Sequence, residues 1–151
     1  MQVSHPLPMP VLSHELNHVA KRVSAAKMRV LLVDDDAFQL DYVGEVLFSL
    51  GLRDITAVAS GERALQLLAG QQRPMDLLLL DLAMPGADGF HFLEAVAQTG
   101  FTGAMIFMSG QSDEVLRSAT LLAQLRRFTL LGSVTKPLCR VAFSVLLDRM
   151  E

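Results

Sequence analysis

The sequence predicts a doubly wound α/β domain, a parallel sheet of five βα units, (βα)5, with helices on both faces. Three observations carry this. Between Met28 and Met150, short apolar runs alternate with longer stretches whose apolar residues recur every three to four positions. The runs are continuous instead of alternating with polar residues, as expected of strands buried on both faces. In a chain of 151 residues that is 51% hydrophobic and 19% charged, with a mean hydropathy of +0.37, the elements must be apolar on more than one face. The length suits one domain able to bury a single core.

Residues 1–27 read as an N-terminal extension, and 28–151 as the domain. The first ten residues carry Pro6, Pro8 and Pro10 and predict irregular chain. Leu12, Leu16, Val19 and Val23 follow at helical spacing, which predicts a short amphipathic helix from about Ser13 to Ala26. The first strand, β1, is predicted over 30–33, followed by a helix α1 with Leu40, Val43, Leu47 and Leu50 on one face and Gly51 closing it. A strand β2 is expected over 54–58. Ser60 is placed to cap a helix α2, which carries Ala64, Leu65 and Leu68 and ends at Gly70. The four leucines at 77–80 favour helix by propensity, but the run is short and follows Pro74, so a buried strand β3 is preferred. The same rhythm gives α3 over 90–98, β4 over 104–108, α4 from 113 to about 127, β5 over 130–134 and α5 over 138–150. Right-handed crossovers then place helices on both faces.

Charge narrows the function. The chain has 13 Lys+Arg against 16 Asp+Glu, a formal charge of -3 and no basic block, which disfavours direct nucleic-acid binding. The one cysteine, Cys139, leaves no internal disulfide and fits a reducing, cytoplasmic setting. There is no apolar run long enough for a membrane span, and no basic-then-apolar leader.

In doubly wound sheets the ligand site lies outside the carboxyl ends of the strands. Asp34, Asp35 and Asp36 follow β1, Asp81 follows β3, Ser109 follows β4 and Lys136 follows β5, so four strand ends deliver polar groups to one edge. Crowded carboxylates repel one another, and a hard divalent cation with oxygen ligands relieves this; Mg²⁺ is the natural candidate. A carboxylate beside Mg²⁺, an ammonium and a hydroxyl is arranged to attack phosphorus, because the positive groups neutralise the transferring oxygens. Taken singly, each residue has a plainer reading. Asp36 and Asp88 read better as N-caps of α1 and α3 than as ligands.

The run Val30-Leu31-Leu32-Val33-Asp34-Asp35-Asp36, the run Asp81 to Gly89, Met108-Ser109-Gly110 and Lys136-Pro137 together resemble the receiver domains of bacterial two-component response regulators. The resemblance covers about Met28 to Met150 and implies a flavodoxin-like sheet of strand order 2-1-3-4-5. Position by position, it implies Asp81 as phospho-acceptor, Asp35 and Asp81 as direct Mg²⁺ ligands, and Asp34 acting on the metal mainly through water. It further implies the Ala83 carbonyl as a ligand, Ser109 and Lys136 as partners of the phosphoryl group, and a cis bond to Pro137. The expected activity is a phosphorylation-dependent switch with autocatalytic phospho-acceptance and self-dephosphorylation. That is a switch and not an enzyme.

The implied partners are a histidine kinase or phosphotransfer protein, and an output domain or partner protein. Phe38-Gln39-Leu40 and the segment Leu131 to Pro137 are most similar to receivers that precede EAL-type cyclic-di-GMP phosphodiesterase domains, which makes such a phosphodiesterase a candidate output. Self-association into a homodimer is left open. Two features depart from the family pattern. Ser133 stands where most receivers carry an aromatic residue three positions before the lysine, and the stretch between β4 and β5 is longer than usual. Gln111 could orient a water attacking the phosphoryl group, and an exposed loop residue without that role is an equally good reading.

Two other readings are open to the sequence. His14-Glu15-Leu16-Asn17-His18 matches the zinc-protease pattern H-E-x-x-H literally, but it sits in the extension with no third ligand in view. A surface or dimer-forming amphipathic helix with incidental histidines is preferred, and His5 and His91 read as surface residues. The alternative within the fold is a receiver-like interaction module that works without phosphorylation.

Overall fold

In the computed structural model of the chain, the described residues are 24–70, 73–83, 89–110 and 113–150. Five parallel strands, β1 (Arg29–Val33), β2 (Asp54–Val58), β3 (Leu77–Asp81), β4 (Ala104–Ser109) and β5 (Thr129–Thr135), form one sheet in the order β2-β1-β3-β4-β5. The helices are α1 (Ala37–Ser49), α2 (Gly61–Gly70), α3 (Gly89–Gln98), α4 (Asp113–Leu125) and α5 (Arg140–Leu147). The predicted fold class and strand order are those observed.

The sheet separates two apolar layers. On one face Val30, Leu32, Leu77, Leu79 and Ile106 pack with Val43 and Leu47 of α1 and Phe143 and Leu146 of α5. On the other, Leu31, Val33, Leu78, Leu80 and Phe107 pack with α2, α3 and α4 through Ala64, Leu93, Val96 and Ala123. The alternation of side chains along each central strand therefore feeds both layers, which is why all five residues of β3 are buried. No helix among the described residues is long and apolar enough to cross a membrane.

Several boundaries differ from the sequence reading, each for a local reason. Strand β3 includes Asp81, which pairs with Met108, and β4 includes Ser109, which pairs with Thr135. Helix α4 stops at Leu125 because Arg127 takes a left-handed conformation (φ 59). The N–H of Phe128 then bonds the carbonyl of Ala123, and that of Arg127 the carbonyl of Gln124. This is the closure that Gly51 (φ 99) gives α1, where Leu52 N–H reaches the Leu47 carbonyl. Helix α5 begins at Arg140, after a cis Lys136-Pro137 bond and an extended Cys139, and ends at Leu147 with short backbone bonds from Arg149 and Met150. Asp36 caps α1 as expected, its Oδ1 accepting from Phe38 N–H at 2.9 Å, and Ser60 Oγ accepts from Arg63 N–H at 3.1 Å.

Strand β5 carries a bulge where its register to β4 shifts, and Gly132 there has φ 150. A Cβ on Gly132 would lie 2.7 Å from Leu146 Cδ2, so α5 rests directly on the strand backbone. Gly132→Ala is therefore expected to destabilise the domain by about 1–3 kcal/mol, from backbone strain plus the displaced Leu146. Urea unfolding with an unchanged m-value and a lower midpoint would show it; an unchanged midpoint would contradict it.

Candidate functional site

Strands β1, β3, β4 and β5 end at one edge, and the chemistry-bearing side chains stand there. Asp34 follows the last residue of β1 and is fully buried, its backbone N–H held by the Val58 carbonyl at 3.2 Å. Asp81, the last residue of β3, is only 3% exposed. Ligand oxygens of Asp34, Asp35 and Asp81 all lie within 4.8 Å of one another. Asp34 Oδ1 accepts from Asp36 N–H at 2.9 Å, whereas Asp34 Oδ2 is buried with no hydrogen-bond donor among the described residues.

The positive counterpart is Lys136. Its Nζ donates to Asp81 Oδ2 at 3.1 Å, and its backbone N–H bonds the Ser109 carbonyl at 2.8 Å. The ends of β4 and β5 are thus tied together beside Asp81, while Leu82 N–H bonds the Met108 carbonyl at 2.9 Å and ties β3 to β4. Ser109 is buried at the end of β4, next to the strand that carries Asp81. Ala83 N–H donates to Asp81 Oδ1 at 2.9 Å, which turns the chain sharply after the strand and fixes that carboxylate.

Electrostatics at this edge are unfavourable to full ionisation. Burial, followed by the neighbouring Asp81 carboxylate, pushes the Asp34 carboxyl up from 3.8 to about 6, against the opposing pull of the Asp36 N–H and Lys136. Three carboxylates face one ammonium. An orphaned buried oxygen and an all-oxygen donor set fit a hard divalent cation, and they do not fit a soft one that prefers thiolate or imidazole.

Of the residues singled out in the sequence, Asp34, Asp35, Asp81, Ser109, Lys136 and Ala83 come together at this edge. Asp36 does not join them; its side chain caps α1. The H-E-x-x-H segment, His5, Asp88 and Gln111 lie outside the described residues. Sequence reasoning passed over Tyr42, whose hydroxyl donates to the Leu138 carbonyl at 2.8 Å and anchors the turn that follows Lys136-Pro137. Nothing in the helical pattern of α1 signals a partner 96 residues away. Tyr42→Phe is expected to cost about 1 kcal/mol of stability, the net value of one such bond; a variant equal to the parent in denaturant midpoint would show that the bond contributes nothing.

A family model described as the response regulator receiver domain matches residues 30–140. The probable chemotaxis protein CheY of Rhizobium etli is 34% identical over 94 residues, covering 61% of this chain and 71% of that one. The cyclic di-GMP phosphodiesterase RocR of Pseudomonas aeruginosa is 28% identical over 123 residues, covering 81% of this chain but only 31% of its own length. Among solved structures, a response regulator from Colwellia psychrerythraea superposes with a TM-score of 0.68 at 26% identity, covering 80% of this chain and 94% of that one.

Proposed function

The chain belongs to the response regulator receiver domain family and is a two-component receiver, and from that premise we propose that Asp81 is its phospho-acceptor, served by Lys136, Ser109 and a magnesium ion. The observation that carries this is the setting of Asp81, buried at a strand end with Lys136 Nζ 3.1 Å from Oδ2 and two further carboxylates in the same cluster. Asp35, Asp81 and the Ala83 carbonyl would hold Mg²⁺, with Asp34 acting through water. When bound, the ion supplies charge neutralisation to the oxygens of the transferring phosphoryl group.

The residues of the chain do the rest. An oxygen of the Asp81 carboxylate attacks phosphorus, and the bond from phosphorus to the donor's histidine nitrogen breaks, its electron pair returning to the imidazole. An acyl phosphate on Asp81 results. The Lys136 ammonium, already on Asp81 Oδ2, pairs with a phosphoryl oxygen, and the Ser109 hydroxyl donates to another. In a separate hydrolytic step, water attacks phosphorus, the bond to the Asp81 oxygen breaks with its electron pair restoring the carboxylate, and inorganic phosphate and a proton leave. The chemistry is autocatalytic acceptance and self-hydrolysis, so the chain acts as a switch.

A histidine kinase or phosphotransfer protein would donate, and an output domain or partner protein would read the switch, in the cytoplasm. The likeness to RocR supports a cyclic-di-GMP phosphodiesterase as the output to test first. Intact-protein mass after incubation with a small phosphodonor tests the chemistry. A gain of one phosphoryl group that vanishes with chelator supports the reading. No gain, with no Mg²⁺ binding, favours an interaction module that works without phosphorylation.

A further inference from the structure

The Lys136 ammonium stands at the tip of a flexible four-carbon stem, so holding it on Asp81 depends on how firmly the backbone beneath it is fixed. On the sheet side the hold is plain. The Lys136 N–H bonds the Ser109 carbonyl at 2.8 Å, and Thr135 is in register with Ser109. On the other side the chain leaves the sheet through residues 137–139. Pro137 has no N–H to give, Cys139 makes no side-chain cap on α5, and the bond from Phe143 N–H to the Cys139 carbonyl is long at 3.4 Å. Leu138 is what fixes this turn. Its side chain is buried in the layer of Val43, Leu47 and Phe143, and its carbonyl accepts the Tyr42 hydroxyl at 2.8 Å.

Tyr42 is 44% exposed, so it adds little to the core. Its hydroxyl is aimed at a backbone carbonyl, a contact that phenylalanine could not make. That carbonyl is two residues on from Lys136, at most about 7 Å of chain, so a shift of the turn moves the base of the lysine stem. A second tether joins the same two helices farther off. Arg140 Nε donates to Ser49 Oγ at 3.0 Å, and Ser49 is the last residue of α1, about 10 Å along the helix from Tyr42 and away from the end capped by Asp36. The Ser49 bond ends on the tip of a long side chain, whereas the Tyr42 bond grips backbone beside Lys136.

We propose that Tyr42 is a positioning residue for phosphoryl transfer, its hydroxyl acting through the Leu138 carbonyl to hold the Lys136 stem so that the ammonium stays on Asp81. This rests on the reading of Asp81 as phospho-acceptor. Small displacements of a group that neutralises charge in a transition state cost rate steeply, so loss of this one bond should slow uptake without stopping it.

The test is phosphoryl uptake by the full chain from acetyl phosphate with Mg²⁺, followed by intact mass well below the unfolding temperature, in the parent, Tyr42→Phe, Ser49→Ala, Lys136→Ala and Tyr42→Phe with Lys136→Ala. A small donor keeps any protein contact with the exposed Tyr42 ring out of the rates. Tyr42→Phe should slow uptake by about threefold to tenfold. Ser49→Ala, which loosens the same pair of helices, should take up phosphoryl groups at the parental rate. In the Lys136→Ala background Tyr42→Phe should change nothing further, because the group it positions is gone. Hydrogen exchange at the Lys136 amide reads the same hold without chemistry: in Tyr42→Phe it should rise beyond any rise shared by the amides of Leu31 and Leu79, and in Ser49→Ala it should follow them. Parental uptake by Tyr42→Phe overturns the proposal, as does slowing of the same size with and without Lys136. If the parent itself gains no phosphoryl group, the reading of Asp81 fails, and the Lys136 amide decides the tether: a selective rise upholds it, and exchange that follows the strand amides overturns it.

Discussion

Asp81→Asn is expected to abolish phosphoryl uptake from any donor, leaving the intact mass unchanged where the parent gains one phosphoryl group. The amide keeps the shape of the carboxylate but offers no anionic oxygen to attack phosphorus, so the loss is of the nucleophile itself. Unfolding is not the explanation to fear. Asp81 sits against two other carboxylates, so removing its charge relieves repulsion in the metal-free protein. Lys136 loses its partner, but its side chain is 24% exposed and can take water instead. Lys136→Ala supplies the graded comparison. It keeps the nucleophile and removes one positive group from the transferring oxygens, so uptake should slow by about 10²–10³-fold without disappearing. Uptake by Asp81→Asn at the parental rate would place the acceptor on another residue.

The legible parts of this molecule are those where one residue type answers one local demand. Continuous apolar runs ending in Asp34, Asp81 and Ser109 mark three strand ends, and the topological rule for doubly wound sheets places them on one edge. Asp36 and Ser60 were legible as caps because an N-cap is a property of a few adjacent residues. The end of α4 was not legible, because Arg127 holds a left-handed conformation that sequence normally signals with glycine. Nor was the bulge in β5, which depends on how Leu146 seats against Gly132, nor the Tyr42 bond to Leu138, which joins distant parts of the chain. Nor does sequence give the depth of the neighbouring aspartates: Asp34 is buried with an unsatisfied oxygen, while Asp35 beside it is exposed.

That depth gives the second large expected effect. With its carboxyl raised from 3.8 to about 6, Asp34 binds its proton more tightly in the folded chain than in the unfolded one. The stabilising contribution of the protonated form is therefore fully present below about pH 4 and is lost as pH rises through about 6. At neutral pH the metal-free domain carries an ionised buried carboxylate at a cost of up to about 3 kcal/mol, taken from the same pair of values. Asp34→Asn is isosteric and neutral throughout, so its stability advantage over the parent should be near zero at pH 4 and grow to about 2–3 kcal/mol at pH 7. The difference between the two proteins isolates what Asp34 contributes, including its contacts with Asp81 and Lys136. Mg²⁺ should act in the opposite direction, raising the Tm of the parent more at pH 7 than at pH 5, because only the ionised cluster gains from a cation, and raising that of Asp34→Asn less. Thermal unfolding of both proteins across this range, with and without Mg²⁺, decides the matter. Parallel stability curves would mean that Asp34 ionises as readily in the fold as in water, and that the burial of its carboxyl imposes no electrostatic strain for a cation to relieve.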